Sequence, residues 1–294
     1  MQVGLLGTGV AVVLSVALVR GVGPVPSLGL TGAGISMLGA TAVERFAAQV
    51  ALRRTDALAD LPLTPGRPDL QRIVQQAKVG IPLAGTVLAK FAVMGVLTFA
   101  AARLGTRSVA VQSVCVALSN LLYTVAVAIG QATVPLVAGH IRADDQVRAR
   151  RTVTSGLAVA LAAVAVLGTA LVLLHRQIIP VFSSDPSVRA ATVSLLPVLL
   201  AAVVTDALQA VAGFGLVGLK RTIPSLLSTL LWFGLLGLSA IPVADHGGLV
   251  ALWLALTAAN LLQAVTKFAA FRRHSAPALS GARPAGSEAA TALR

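Results

Sequence analysis

The chain has 294 residues, of which 56% are hydrophobic and only 11% are charged, and its mean hydropathy is +0.89. A soluble domain needs more polar surface than this to cover its core, so the composition excludes an ordinary water-soluble protein. The net charge of +13 at pH 7 fits either a nucleic-acid-binding protein or a membrane protein with basic cytoplasmic loops.

Eight long apolar segments, here named spans A to H, follow one another along the chain. About 20 helical residues cross a hydrocarbon layer roughly 30 Å thick, so each segment is predicted to be a transmembrane helix. The fold class predicted is therefore an all-α integral membrane protein with about eight transmembrane helices. Span A has no basic residue ahead of its apolar run, so we expect a retained helix rather than a cleaved signal peptide. The spans cover residues 4–19, 28–52, 79–101, 108–138, 153–175, 190–217, 222–243 and 247–271.

Lysine and arginine lie mostly on one set of alternating loops. Sixteen of them fall on the loops between spans B and C, D and E, and F and G, and on the end of span H with the tail, whereas five fall on the opposite side. Because cytoplasmic loops collect Lys and Arg, this asymmetry predicts a cytoplasmic C-terminus. Topology thus explains the basicity, and we expect no nucleic-acid partner.

An internal repeat indicates how the spans are grouped. Residues 23–54 resemble residues 241–273 at an offset of 218 to 219 residues, and both stretches end in a double arginine. If this offset is a repeat length, spans C to H form one complete six-helix lobe, and spans A and B end a preceding lobe. The predicted organisation is 1–54 for the last two helices of the N-terminal lobe, 55–78 for a cytoplasmic linker, 79–273 for the six-helix lobe and 274–294 for a disordered cytoplasmic tail.

Several short motifs occur in a fixed order from span C to the exit of span F. They are Val79-Gly80-Ile81-Pro82, Gly130-Gln131-Ala132, Phe182-Ser183-Ser184-Asp185, Asp206-Ala207-Leu208-Gln209 and Gly218-Leu219-Lys220-Arg221. In order and spacing they resemble the MATE (multidrug and toxic compound extrusion) family, which is built from two six-helix lobes. The resemblance implies that the first four of the usual twelve helices are absent. It also implies a cation-coupled antiporter of the bacterial plasma membrane that exports organic, often cationic or amphipathic, drugs or natural products.

Asp206 lies midway along span F among apolar residues, with Gln209 one turn later on the same face. An ionisable group at this depth costs roughly 2.5–3.5 kcal/mol on insertion scales, so it usually faces a cavity or a partner. The residues alone allow either a carboxylate that binds the coupling cation or a structural contact between helices. The family resemblance implies the first role, with a proton or sodium as the ion, and Asp206 is the one candidate for a metal site.

Lys90 lies twelve residues into span C, at a place where many family members carry a carboxylate. One hypothesis pairs its ammonium with Asp206, in the place a sodium ion would take, which favours proton coupling. The alternative puts Lys90 at the edge of the lobe, where its side chain reaches the lipid headgroups.

A stripe of polar residues runs along one side of span D at 100° per residue. Its members are Gln112, Ser119, Asn120, Tyr123 and Gln131. Such a stripe either lines a cavity or joins two helices, and its large amides and phenol favour a substrate cavity. On span H, Asn260 and Gln263 lie three residues apart. We interpret this pair as a helix contact first and as substrate-cavity residues in the alternative.

The sequence contains no motif typical of catalysis or nucleotide binding. Its four histidines lie in loops or at helix ends without metal-ligand spacing, and no Gly-Lys-Ser/Thr phosphate loop occurs. We expect a transporter rather than an enzyme, with no cofactor besides the coupling ion. The expected partners are a small organic substrate, membrane lipids and a separately encoded N-terminal portion. Two alternatives are a lipid-precursor flippase of the same superfamily and a non-transporting fragment or partner subunit.

Overall fold

The computed structural model describes residues 2–21, 27–53 and 69–275, and the regular elements in these ranges are all α-helices. The described residues belong to two units, Met1–Asp69 and Leu70–Arg294. The predicted tail after residue 275 and most of the predicted linker lie outside the described residues. The helices are α1 (Gln2–Arg20), α2 (Gly29–Arg53), α3 (Leu70–Arg103), α4 (Thr106–Arg142), α5 (Gln146–Leu173), α6 (His175–Phe182), α7 (Pro186–Gly218) and α8 (Ile223–His274).

Five of the described helices, α3, α4, α5, α7 and α8, are long and apolar enough to cross a membrane. They correspond to the predicted spans C to H, since α8 includes two of these spans. Helices α1 and α2 correspond to spans A and B; the apolar part of α1 is the shorter stretch Leu6–Arg20. The prediction of an all-α, multi-pass membrane protein is confirmed.

Helix α8 is a hairpin of two helices that meet at Gly248. The backbone there has φ 63° and ψ −158°, a conformation open mainly to glycine. Thr229 Oγ1 donates a hydrogen bond to Gln263 Oε1 at 3.0 Å, and Ser228 Oγ lies 2.6 Å from Thr266 Oγ1. These pairs require the two halves to run antiparallel, so the chain reverses its direction between the segments that contain spans G and H.

Several helices extend beyond the predicted spans, and two of the differences fall in a predicted linker and a predicted loop. Helix α3 begins at Leu70, nine residues before the predicted start of span C, so the part of the linker 55–78 that the structure describes is largely helical. Residues 70–78 mix apolar with polar side chains, a pattern that forms a helix without the continuous hydropathy of a span. Helix α6 replaces part of a predicted loop, and its eight residues are too few to cross a membrane.

The second unit is built around α7, which packs against α4, α5 and α8, while α3 packs against α8. Gly218 brings α7 close to α4: a Cβ atom there would lie 2.8 Å from Val137 Cβ and 3.2 Å from the Val134 carbonyl oxygen. This close approach places the middle of α7, which carries Asp206, beside the polar stripe of α4.

A left-handed glycine begins α2 and also the second half of α8. Gly29 has φ +53° and Gly248 has φ +63°, and the two are 219 residues apart. This distance lies within the offset of the proposed repeat. The grouping into two lobes stays a prediction.

Candidate functional site

A cavity of about 450 Å³ lies within the second unit, between α3, α4, α7 and both halves of α8. Its wall is mostly apolar and includes the aromatic side chains of Phe91, Phe214, Phe233 and Trp253. Nine of the ten predicted site residues lie on this wall. They are Lys90, Ser119, Asn120, Tyr123, Gln131, Asp206, Gln209, Asn260 and Gln263.

Asp206 is held by two side chains at the cavity wall. Lys90 Nζ lies 3.0 Å from Asp206 Oδ1 and 2.7 Å from Oδ2, and Gln209 Nε2 donates to Oδ1 at 2.7 Å. The side chains of Lys90 and Asp206 are 24% and 15% exposed, so the ion pair is only partly shielded from water in the cavity. This geometry fits the pairing hypothesis for Lys90 and not the headgroup alternative.

The ring of Tyr123 holds Lys90 from the side of α4. The ammonium lies 3.4 Å from the ring centroid, which is cation–π geometry. Lys90 of α3 therefore contacts an anion on α7 and an aromatic ring on α4. A change in the charge of any one of these groups would alter contacts among three helices.

Lys267, one of the basic residues at the end of span H, is also a residue of the cavity wall. Its side chain is only 2% exposed, and it donates hydrogen bonds to Gln209 Oε1 and, at 3.0 Å, to Gln263 Oε1. An ammonium can only donate, so both amide oxygens must face it, which fixes the orientation of the two amides. Within the described residues Lys267 forms no ion pair with a carboxylate.

Gln112 lies behind the cavity wall rather than on it. It is buried, and its Oε1 accepts a hydrogen bond from Trp253 Nε1 at 2.8 Å. A buried indole N–H requires an acceptor, and Gln112 supplies one. The predicted stripe on α4 is thus divided: Gln112 positions a wall residue, and the other four members line the cavity.

Three polar atoms near the cavity have no hydrogen-bond partner within the described part of the chain. They are Ser119 Oγ, Asn260 Oδ1 and Gln263 Nε2. Buried polar groups are normally satisfied, so these atoms are candidates for contacts with a bound molecule or with water.

The described residues contain no group of three or more His, Cys, Asp and Glu side chains that could hold a metal ion. The predicted sodium position at Asp206 is contacted by the ammonium of Lys90 on both carboxylate oxygens. A cation of the chain itself therefore stands where sodium was expected.

The family model MatE matches residues 82–243, which is more than half of the chain. This chain belongs to the MatE family. The matched residues include α4, α5 and α7 in full, with much of α3 and the first half of α8, so they carry most of the cavity wall. The resemblance drawn from the motifs is confirmed.

Curated relatives agree with this assignment. The probable multidrug resistance protein NorM of Aromatoleum aromaticum is 29% identical over 242 residues, which are 80% of this chain and 51% of that protein. The multidrug resistance protein NorM of Burkholderia vietnamiensis is 29% identical over 282 residues, 93% of this chain and 60% of that protein. The chain thus spans about half the length of the curated relatives it matches.

A solved structure shares the fold. It is the outward-facing conformation of a multidrug resistance MATE family transporter of the MOP superfamily, and it matches this chain with a TM-score of 0.80 at 18% identity. The match covers 93% of this chain and 61% of that one. At this identity the likeness establishes the arrangement of the helices and not the substrate.

Proposed function

We propose that this chain forms part of a secondary active efflux transporter, a cation-coupled antiporter of the bacterial plasma membrane that exports amphipathic organic molecules. The observation that carries the proposal is a largely apolar cavity with a carboxylate, Asp206, on its wall. Apolar pockets of this size take up organic molecules, and ionisable groups at membrane depth are typical of ion and proton pathways. The NorM relatives are named multidrug resistance proteins, which supports drugs as the class of substrate.

We further propose that the coupling ion is the proton rather than sodium. Sodium would have to displace the Lys90 ammonium, which contacts both oxygens of Asp206. A proton that binds Asp206 would remove the negative charge and release Lys90 from it. Such a release changes the contacts between α3 and α7. A ligand that binds more tightly to one of two arrangements of the helices shifts the population toward that arrangement.

Transport assays in proteoliposomes test both parts of the proposal. A pH gradient should drive accumulation of an amphipathic dye in vesicles that contain the chain, and a sodium gradient alone should not. Asp206→Asn should abolish gradient-driven transport. The matched control is Asp245→Asn, because Asp245 is 42% exposed and forms its ion pair with Arg103 instead of lining the cavity. Full activity of D206N, or a strict need for sodium in the wild type, would contradict the proposal.

A second candidate is a partner subunit or fragment that does not transport alone. Alternating access in transporters with two repeats uses both lobes, whereas this chain spans about half the length of its relatives. The same assay distinguishes the candidates when this chain is tested alone and then together with the N-terminal half of a NorM relative. Transport only in the combined sample would support a role as partner of a separately encoded lobe.

A further inference from the structure

The charged side chains on the cavity wall give it an excess of positive charge. Among the described residues that line the cavity, the charged ones are Lys90, Asp206 and Lys267. Lys90 neutralises Asp206 at 2.7 Å. The charge of Lys267 is left without a counterion in the described part of the chain.

The surroundings of Lys267 are suited to a bound anion. Its two hydrogen-bond partners, Gln209 and Gln263, are neutral amides, and an ammonium has a third N–H to donate. The Gln263 amide nitrogen is a further donor without a partner. Burying an ammonium without a counterion is costly in a low-dielectric environment, and an anion lowers this cost whereas a cation raises it.

We propose that the cavity binds an amphipathic organic anion, an oxyanion on an apolar body, and that Lys267 anchors its charge. This inference rests on the proposed function, since it names the substrate class of the same cavity. The aromatic side chains on the wall accommodate the apolar body, and the volume of about 450 Å³ lies within the range of small-molecule sites. The proposal names an anion, whereas the family resemblance implied organic molecules that are often cationic or amphipathic.

The test is equilibrium binding of three ligands with one aromatic body to the whole chain in lipid nanodiscs. The ligands are naphthylacetate, naphthylacetamide and naphthylethylammonium, which are negative, neutral and positive. We expect the carboxylate to bind about tenfold or more tightly than the other two ligands. Lys267→Gln should weaken carboxylate binding about 10- to 100-fold, because this is the affinity that one hydrogen bond to a charged group contributes. It should leave amide binding unchanged.

Two further variants test which sign of ligand charge the cavity prefers and provide a control. Asp206→Asn removes the negative charge from the wall, so carboxylate binding should strengthen several-fold, whereas a site for cations would lose affinity. Lys78→Gln removes an exposed lysine of α3 that does not line the cavity, so it should leave the binding of all three ligands unchanged.

Unchanged binding of the amide shows that a variant is folded. If K267Q no longer binds the amide, Lys267→Met replaces it in the test. Tighter binding of the ammonium than of the carboxylate, or equal carboxylate binding by K267Q and the wild type, would overturn the inference.

The binding assay separates this inference from the proposed function because it needs no gradient. Carboxylate binding without driven transport would support the anion site and contradict the antiporter proposal. Driven export of the ammonium without carboxylate binding would support the antiporter proposal and contradict the anion site. Geranyl phosphate distinguishes the source of the anion. A tenfold preference for it over naphthylacetate, again lost in K267Q, would support the oxyanion anchor and assign the anion to a prenyl-linked lipid precursor, as in the flippase alternative.

Discussion

Replacing Lys90 by alanine should convert Asp206 into a sodium-binding carboxylate. The wild-type ammonium lies 2.7 and 3.0 Å from the two oxygens, and its removal leaves Gln209 Nε2 as the remaining side-chain donor to Asp206 among the described residues. Carboxylate oxygens are hard ligands that suit cations such as sodium. The variant therefore tests whether Lys90 occupies the place of a coupling ion.

The expected size of the effect follows from the geometry of the pair. Two unit charges about 3 Å apart attract each other by roughly 5 kcal/mol at an effective dielectric constant of 20. Removing one partner of a buried pair costs about 3–5 kcal/mol, and water in the cavity reduces this because the side chains are 24% and 15% exposed. We expect K90A to lose about 2–4 kcal/mol of stability without sodium. Sodium at 100 times its Kd would restore about 2.7 kcal/mol.

Thermal unfolding of the purified protein in sodium and in potassium, at equal ionic strength, measures this effect. K90A should melt several degrees higher in sodium, whereas the wild type and the exposed-lysine control K78A should melt alike in both salts. Efflux by K90A should also become dependent on sodium. Equal melting of K90A in the two salts would refute the reasoning, and so would a wild type that sodium stabilises.

Two further predictions concern packing and a helix cap. Gly218→Ala puts a methyl group about 2.8 Å from Val137, so it should lower the stability by about 1–3 kcal/mol in thermal melting, whereas Gly95→Ala, with nothing within 4 Å, should not. The exposed Asp185 caps α7, and hydrogen bonds from Ser187, through its side chain and its backbone N–H, lower the pKa of Asp185 below its ordinary value. A group whose pKa is lower in the folded state than in the unfolded state stabilises the fold at pH values above its unfolded-state pKa. This stabilisation is lost as the pH falls through the folded-state pKa. The wild type should therefore melt above Asp185→Ala at pH 7, with the gap closing below about pH 4; an equal gap at pH 3 would contradict this.

The long spans could be predicted because hydropathy and length alone determine whether a segment crosses a bilayer. Helix α6 and the start of α3 could not, because both are short or amphipathic and lack that signal. The pairing of Lys90 with Asp206 could be proposed because two opposite charges at membrane depth are each costly alone. Their relative position depends on how α3 packs against α7 and α8, which one chain's sequence does not reveal.

The stripe on α4 shows the limit of helical periodicity. The 100° rule placed Gln112 with Ser119, Asn120 and Tyr123, and three of these four line the cavity. Gln112 is the N-terminal member of the stripe, and its Oε1 accepts a hydrogen bond from Trp253 Nε1 behind the cavity wall. Periodicity identifies the face of a helix, whereas the side chains of neighbouring helices decide how far along that face the cavity extends.

The sequence contains a pattern that places Lys267 on the cavity side of its helix, although the position of Lys267 near a helix end suggests a residue at the membrane surface. Counting basic residues by loop assumes that a lysine in the last two turns extends to the headgroups, which holds only if its helix face is turned toward lipid. Trp253, Leu256, Asn260 and Gln263 follow one another at steps of three and four, and Lys267 continues the series. A lysine on this inward face must find acceptors inside the protein, as it does in Gln209 and Gln263. Because Lys267 lies on the inward face of its helix, the cavity wall carries an excess of positive charge instead of balanced charges. The molecule that the cavity is expected to bind is therefore an anion.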